Sequence, residues 1–176
     1  MIIREITYND VPAIARVHVD TWRTAYRGII PDEYLATLSY EKRESGWYKI
    51  LNSAPENGDF IYVAENELGE IIGFANGGIE RTGDSIYKGE LKAIYILESS
   101  QRKRIGCRLV QTVAVKLSQA NINSMLVWVL ENNPACRFYE KLGGKQIYSK
   151  QLERGGAMLT EVAYGWTDTT SIIKFC

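Results

Sequence analysis

The stretch Gln101-Arg102-Lys103-Arg104-Ile105-Gly106-Cys107 decides the fold, because it joins a strand-like segment to the start of a helix. The segment before it, residues 90–97, is largely apolar, and the segment after it has apolar side chains every three or four residues up to position 120. An uninterrupted apolar run follows at residues 125–129 and is typical of a strand covered on both faces. The pattern predicts a strand, a basic turn, a helix and a second strand.

The basic turn is suited to an anion. The first N–H groups of a helix have no partner within the helix, and the helix dipole favours negative charge there. A phosphate or pyrophosphate therefore fits such a turn, and Arg102, Lys103 and Arg104 add local positive charge. A solvated helix start has the same composition, so the turn alone does not decide between the two interpretations.

The remaining segments predict a single α/β domain over residues 1–176, since a chain of this length normally builds one hydrophobic core. A helix begins after Asn9-Asp10, and another begins at Asn132-Asn133-Pro134 and ends at Gly143. The other predicted segments are strands at 2–6, 60–64, 71–75, 145–150 and 159–166, helical pieces at 32–51, a loop at 53–59 and an exposed tail at 171–176.

The charge balance excludes some classes of partner. Lys and Arg together number 21, as do Asp and Glu, so no global basic field exists to hold nucleic acid or an anionic membrane surface. No apolar run approaches the roughly 20 residues of a membrane helix, and the N-terminus has no signal-peptide pattern. We expect a cytoplasmic protein with no membrane or nucleic-acid partner.

Cysteine and histidine are too few and too widely spaced for a disulfide framework or a metal site, so we expect neither. The chain has Cys107, Cys136, Cys176 and one histidine, His18. A nucleophile pair of Cys136 and His18 is an alternative, although nothing in the sequence brings them together. The spacing favours His18 as a packed helix residue beside Trp22.

The helix that begins at Asn132 carries the pattern Asn132-x-x-Ala135-x-x-Phe138-Tyr139. Together with the basic turn, this pattern resembles the GNAT superfamily of N-acetyltransferases, and the resemblance extends over nearly the whole chain. It implies a mixed, mostly antiparallel seven-stranded sheet with helices on both faces, splayed at strands 4 and 5. Two positions depart from the family pattern: Arg104 replaces a glycine, and Gly144 replaces a phenylalanine.

The resemblance implies acetyl-CoA as co-substrate and assigns residues to it. The backbone of Ile94, Tyr95 and Ile96 would pair with the pantetheine arm, Asn132 would bond to that arm, and Tyr139 would lie beside the sulfur. Helical spacing alone favours Tyr139 as a core aromatic, whereas the Asn132-x-x-Ala135-x-x-Phe138-Tyr139 pattern favours the functional role. The turn residues would hold the pyrophosphate: Gln101, Arg102, Lys103, Arg104, Ile105, Gly106 and Cys107.

Acetyl transfer to an amine requires a base, because an alkylamine with a pKa near 10.4 is almost fully protonated at neutral pH. Glu90 lies where some family members carry a glutamate that takes a proton through water, and in a regular strand it would share a face with Lys92 and Ile94. The alternative is a solvent-facing residue paired with Lys92. Tyr139 could protonate the leaving thiolate. Trp22, Tyr26 and Tyr34 would line the acceptor pocket, or form part of the core.

The sequence thus predicts an N-acetyltransferase that acts on a small-molecule or protein amine by direct attack in a ternary complex. Two alternatives remain: an acyl-CoA sensor with weak turnover, favoured by Arg104, and a partner-binding protein that uses its C-terminal tail. Homodimers are common in the superfamily, although the sequence shows no interface.

Overall fold

The computed structural model describes all 176 residues, as seven strands and six α-helices. In chain order these are β1 (Ile2–Glu5), α1 (Val11–Ala25), α2 (Asp32–Ala36), α3 (Tyr40–Asn57), β2 (Phe60–Glu65), β3 (Ile71–Ile79), β4 (Gly89–Ile96), α4 (Ile105–Gln119), β5 (Met125–Leu130), α5 (Ala135–Lys141), β6 (Lys145–Arg154), β7 (Ala157–Trp166) and α6 (Thr170–Phe175). None of the helices has the length and hydropathy needed to cross a membrane.

All strands belong to one sheet in the order β1-β2-β3-β4-β5-β7-β6. Every neighbouring pair is antiparallel except β4 and β5, which run parallel. Those two strands pair only at Gly89 with Met125 and at Glu90 with Leu126, and then they separate. The predicted mixed, seven-stranded and splayed sheet is confirmed.

Helices cover both faces of the sheet, as predicted. On one face, α4 buries Leu109, Val113 and Leu117, whose spacing of four residues places them on a single side of the helix. On the other face, α1 and α3 cover a second cluster that includes Ile14 and Phe74. The sheet is therefore apolar on both faces near its centre, where β4 and β5 separate.

The predicted loop at residues 53–59 is wrong, because α3 continues to Asn57 with Pro55 inside it. Proline has no N–H to donate, so the last turn of α3 loses one helical hydrogen bond without unwinding. The helix ends at Gly58, whose φ of 65° is left-handed and is accessible to glycine at little cost.

The C-terminal segment 171–176, expected as an exposed tail, packs against the domain on one side. Residues of α6 lie against α4: Ile172 is fully buried, and the Gln111 side chain donates a 2.7 Å hydrogen bond to the carbonyl of Ile173. Cys176 forms a disulfide with Cys107, which corrects the expectation that the cysteines are unpaired. The sequence separation of 69 between the two cysteines hid this pairing, because only the folded chain brings their Cα atoms to 5.4 Å.

Candidate active site

Strand β4 presents an open edge at the centre of the sheet. From Leu91 to Ile96 it has no partner on β5, so the backbone groups on that side are available to an extended ligand. The predicted residues Ile94, Tyr95 and Ile96 all lie on this edge. The Gln101 side chain donates a 3.1 Å hydrogen bond to the carbonyl of Ile96, which ties the basic turn to the end of the strand.

A bulge in β4 changes which side chains share a face. On β3, Asn76 pairs with Ala93 and Gly77 pairs with Leu91, so Lys92 has no opposite residue. A bulge inverts the alternation of side chains that follow it. Ile94 consequently packs toward α4, whereas Glu90 lines a cavity on the opposite side of the sheet. The prediction that Glu90 shares a face with Ile94 is therefore wrong.

The basic turn has a strained backbone. Arg102 and Arg104 have φ values of 61° and 62°, a left-handed conformation that favours glycine. All of Arg102, Lys103 and Arg104 are exposed. Arg104 thus adopts the backbone conformation available to the glycine that the superfamily pattern carries there.

The start of α4 offers free backbone donors. Its first helical hydrogen bond runs from the N–H of Arg108 to the carbonyl of Arg104 at 3.1 Å, so the N–H groups of Ile105, Gly106 and Cys107 precede it. A Cβ at Gly106 would lie 3.3 Å from both Ile96 and Phe138, so glycine allows α4 to approach β4 and α5 closely. The turn can hold an anion through its backbone.

Two asparagines at the start of α5 have different roles. The Asn133 side chain accepts a 2.9 Å hydrogen bond from the N–H of Ala135 and so caps the helix. Asn132 is exposed, and its side chain forms no hydrogen bond within the chain. Its amide is therefore free to bind a ligand.

Tyr139 lies on the buried side of α5 and is 4% exposed. Its ring packs 6.0 Å from Tyr164 and 6.3 Å from Trp166, measured between ring centroids. The hydroxyl has no hydrogen-bond partner in the chain, and burial raises the pKa of Tyr139, which keeps the phenol protonated at neutral pH. A protonated hydroxyl without a partner can act as a donor.

Two adjoining cavities lie on the α1 side of β4, with volumes of about 670 Å³ and about 140 Å³. The three aromatic residues predicted for the acceptor pocket line them: Trp22 borders both, Tyr26 the smaller and Tyr34 the larger. The structure thus brings these residues together.

Glu90 is 2% exposed and lines the smaller cavity. Its carboxylate accepts two hydrogen bonds from the Arg81 guanidinium, at 3.0 Å from Nε and 2.5 Å from Nη2. The alternative pairing with Lys92 is wrong, because Lys92 forms its ion pair with Asp59. Arg81 and Lys92 both line the smaller cavity, and each pairs with a different carboxylate.

His18 lines the larger cavity, a location that helical spacing could not reveal. Its ring lies 4.6 Å from that of Tyr95, and its Nδ1 accepts a 3.1 Å hydrogen bond from Trp47. Burial, aided by the nearby Arg43, lowers the pKa of His18 to about 3. The sulfur of Cys136 instead contacts backbone carbonyls at the end of β5, so the two residues do not form a nucleophile pair.

Sequence reasoning missed several charged and polar residues of the cavities. Arg43 and Arg154 both line the larger cavity, as do Asp59 and Asn76. These residues come from four different elements or loops and share no local motif. No signal in the sequence could have grouped them.

A seven-stranded sheet that opens between β4 and β5, with a basic turn and a helix start beside the opening, is the architecture of the GNAT superfamily. The FR47-like protein family matches residues 80–153, which include β4, the turn and α5. The chain is also 39% identical over 170 residues to the uncharacterized N-acetyltransferase YuaI of Bacillus subtilis (strain 168), covering 97% of this chain and 95% of that protein. The chain therefore belongs to the GNAT superfamily of acetyl-CoA-dependent N-acetyltransferases.

Two further similarities are more distant. The spermidine N(1)-acetyltransferase of Thermoplasma acidophilum is 25% identical over 147 residues, which cover 81% of this chain and 87% of that protein. The crystal structure of the PaiA N-acetyltransferase from the same organism, in complex with coenzyme A, superposes with a TM-score of 0.70 at 20% identity. The superposition covers 92% of this chain and 96% of the PaiA chain, so the two proteins have the same fold.

Proposed function

We propose that this chain transfers the acetyl group of acetyl-CoA to a primary amine by direct attack within a ternary complex. The observation that carries the proposal is that strand β4 borders both an open sheet edge and the two cavities. Its backbone is unpaired on the β5 side from Leu91 to Ile96, while Glu90 and Tyr95 of the same strand line the adjoining cavities. A thioester along the open edge would meet an amine that enters from the cavities.

The residues present fit acetyl-CoA, which supplies an activated acyl group when bound. The free N–H groups at the start of α4 suit the pyrophosphate, and the side chains of the basic turn add positive charge. The open edge of β4 suits the amide-bearing pantetheine arm, and the Asn132 amide has no competing partner in the chain. These features support the residue assignments that the sequence resemblance implied.

The proposed reaction forms one C–N bond and breaks one C–S bond. The amine nitrogen attacks the acyl carbon after a proton passes through water to Glu90, whose carboxylate is held by Arg81. The departing thiolate takes a proton from the Tyr139 hydroxyl, which has no other partner in the chain. The second proton that the nitrogen loses as the amide forms passes through solvent and restores the Tyr139 phenol. No covalent acetyl-enzyme is needed, because both substrates are present together.

The sensor alternative loses the feature that favoured it. Arg104 was the reason to expect weak binding at the turn, but its backbone adopts the left-handed conformation available to glycine, and its side chain is exposed. The turn can therefore keep its shape with arginine in place. No other feature of the site favours a sensor over an enzyme.

The test supplies acetyl-CoA together with a mixture of primary amines and measures both free thiol and acetylated products by mass. We expect thiol release well above the rate without amine, matched by an equal amount of N-acetylated product. Binding of acetyl-CoA without amine-dependent thiol release would overturn the proposal in favour of the sensor.

A further inference from the structure

The charges that line the two cavities are not balanced locally. The larger cavity has four cationic side chains and two carboxylates along its wall. The two cavities together have five cationic side chains and four carboxylates, since Arg81, Lys92 and Arg154 line both. The pairing of these groups, not their total, determines what an acceptor would meet.

Three of the four carboxylates already hold a cation. Asp59 pairs with Lys92, Glu90 pairs with Arg81, and Glu161 lies 3.2 Å from the Lys150 ammonium. The fourth, Glu80, is turned into its own loop, where it accepts hydrogen bonds of 2.7–2.9 Å from Thr82 and Asp84. None of the four is free for an added cation.

Two arginines of the larger cavity have no carboxylate partner. Arg43 of α3 lies over the Trp22 ring, with its guanidinium carbon 5.9 Å from the centroid. Arg154 ends β6, where the hairpin packs so closely on α2 that a Cβ at Gly155 would lie 2.6 Å from Tyr34. Neither guanidinium forms a salt bridge in the chain, and each can therefore bind an oxyanion.

His18 adds a hydrogen-bond donor to the same cavity. The Trp47 indole N–H can only donate, so the Nδ1 of His18 that accepts from it carries no proton. In the neutral ring the proton is then on Nε2, which is buried and has no partner. His18 is 7% exposed, so its unpaired N–H is a buried donor in the cavity wall.

From these groups we infer that the acceptor is a primary amine that also carries an oxyanion such as a carboxylate, bound by Arg43, Arg154 and the Nε2–H of His18. The inference rests on the proposed function and specifies its acceptor. The buried amide oxygen of Asn76, which also lines this cavity and has no donor in the chain, suits the amine end. A polyamine would place its second cation between Arg43 and Arg154, which would repel it.

The experiment compares amines that differ only in charge at the far end. Each ω-amino acid is assayed beside its carboxamide and the diamine of equal length, so that the reacting amine keeps a similar pKa. A second series compares α-amino acids with their carboxamides. Thiol release from acetyl-CoA gives kcat/KM for every pair in wild-type protein and in Arg43→Gln, Arg154→Gln and the control Lys42→Gln, which removes the same charge from an exposed neighbour on α3.

We expect a carboxylate to exceed its carboxamide by at least about tenfold in kcat/KM for the best skeleton, equivalent to 1.4 kcal/mol. Each arginine variant should reduce this preference severalfold and raise KM more than it lowers kcat, whereas Lys42→Gln should keep it. Preference for carboxamides or diamines, or a carboxylate preference unchanged in both arginine variants, would overturn the inference while leaving acetyl transfer intact. No turnover of any amine would instead refute the proposed function itself.

Discussion

Tyr139 combines burial, a protonated hydroxyl and the absence of a hydrogen-bond partner in the chain. We expect Tyr139→Phe to lower kcat by about 10²-fold if protonation of the thiolate limits the rate. The melting temperature and the affinity for CoA should barely change, because phenylalanine keeps the ring and its packing while no hydrogen bond is lost. Steady-state kinetics, calorimetry with CoA and thermal unfolding check these three quantities.

A leaving-group series and a control variant sharpen the test of Tyr139. Acyl donors with more acidic thiols need less protonation, so they should be less affected by Tyr139→Phe. An equal loss across the series would show that the hydroxyl positions the thioester and is not an acid. Tyr148→Phe changes an exposed tyrosine on β6 and should leave kcat unaltered.

Glu90 is proposed as the base that accepts the amine proton through water. Glu90→Gln keeps the shape of the side chain but removes the charge, so kcat/KM should fall by roughly 10²–10⁴ at neutral pH. The loss should shrink at high pH, where free amine is abundant. A pH profile of kcat/KM for both proteins measures this difference.

Arg81 provides the control for Glu90, because the two side chains form one ion pair. Arg81→Gln breaks the pair but keeps the carboxylate, so it separates the loss of the pair from the loss of the base. If Arg81→Gln reproduced both the size and the pH dependence of the Glu90→Gln defect, Glu90 would be a positioning residue.

Arg104 has a left-handed backbone that costs a residue with a side chain about 1 kcal/mol. Arg104→Gly should therefore stabilise the protein by up to about 1 kcal/mol in denaturant unfolding. CoA affinity should change by less than about tenfold, because the proposed contacts with the pyrophosphate are made by backbone N–H groups. The control Lys103→Gly removes the same charge at a residue whose φ is not positive, so it should only destabilise the protein. A hundredfold loss of CoA affinity in Arg104→Gly would instead mean that the Arg104 guanidinium binds a phosphate.

At the scale of elements, the disulfide joins the start of α4 to the end of α6 across 69 residues. Cross-links of this kind typically stabilise by about 2–4 kcal/mol. Cys176→Ser and Cys107→Ser should each lower the free energy of unfolding by that amount, and the double variant should lose no more than either one. Urea unfolding with and without reductant measures the effect.

The control for the disulfide is Cys136, a half-buried free thiol on α5. Cys136→Ser should change stability by much less, and reductant should still destabilise that variant. Equal stability of the wild type and Cys176→Ser under oxidising conditions would show that packing of Ile172 alone holds α6.

The elements that the sequence predicted correctly are those with strong local signals. The helix α4 follows from apolar spacing, and α5 from its asparagine cap and terminal glycine. The bulge at Lys92 has no such signal, because it depends on how β3 and β4 register against each other. The final helix α6 was missed for a similar reason, since its stability comes from contacts with α4.

At Gly144, where the superfamily pattern has a phenylalanine, the space for a side chain is filled by a residue from another strand. A Cβ at this position would lie 2.6 Å from the Trp166 ring and 3.0 Å from the Tyr139 carbonyl. The superfamily's phenylalanine would therefore collide with Trp166, which fills that space from β7. Sequence comparison marks Gly144 as unusual, but only the fold identifies the residue that compensates for it.

For the whole molecule, the sequence groups the proposed cofactor residues into readable motifs, but it does not group the residues of the proposed acceptor site. The proposed cofactor residues lie in three continuous stretches, the end of β4, the basic turn and the segment from Asn132 to Tyr139, whose patterns are readable. The acceptor cavities draw on α1, α3, the end of β6 and loops, so their charge pattern exists only after folding. Even Trp22, Tyr26 and Tyr34 were identified as aromatic candidates without their charged neighbours.

His18 also governs the pH dependence of stability, because it is the only histidine in the chain. Its pKa is near 6.5 when unfolded and about 3 when folded, so the unfolded chain binds the proton first as the pH falls. The stability associated with neutral, buried His18 is complete above pH 6.5 and declines as the pH falls toward 3. Between pH 7 and pH 5 the loss should be about 2 kcal/mol, a range in which unfolded carboxyl groups, with pKa values near 4, contribute little.

Urea unfolding at a series of pH values measures this slope in the wild type and in His18→Gln, whose amide oxygen can still accept from Trp47. The variant is expected to be less stable at pH 8, where His18 is neutral in both states, because the stacking on Tyr95 is lost. Its stability should nevertheless be nearly flat from pH 7 to pH 5. A slope in His18→Gln as steep as in the wild type would show that another group takes up the proton, and would overturn the assignment of a neutral, buried imidazole to the cavity wall.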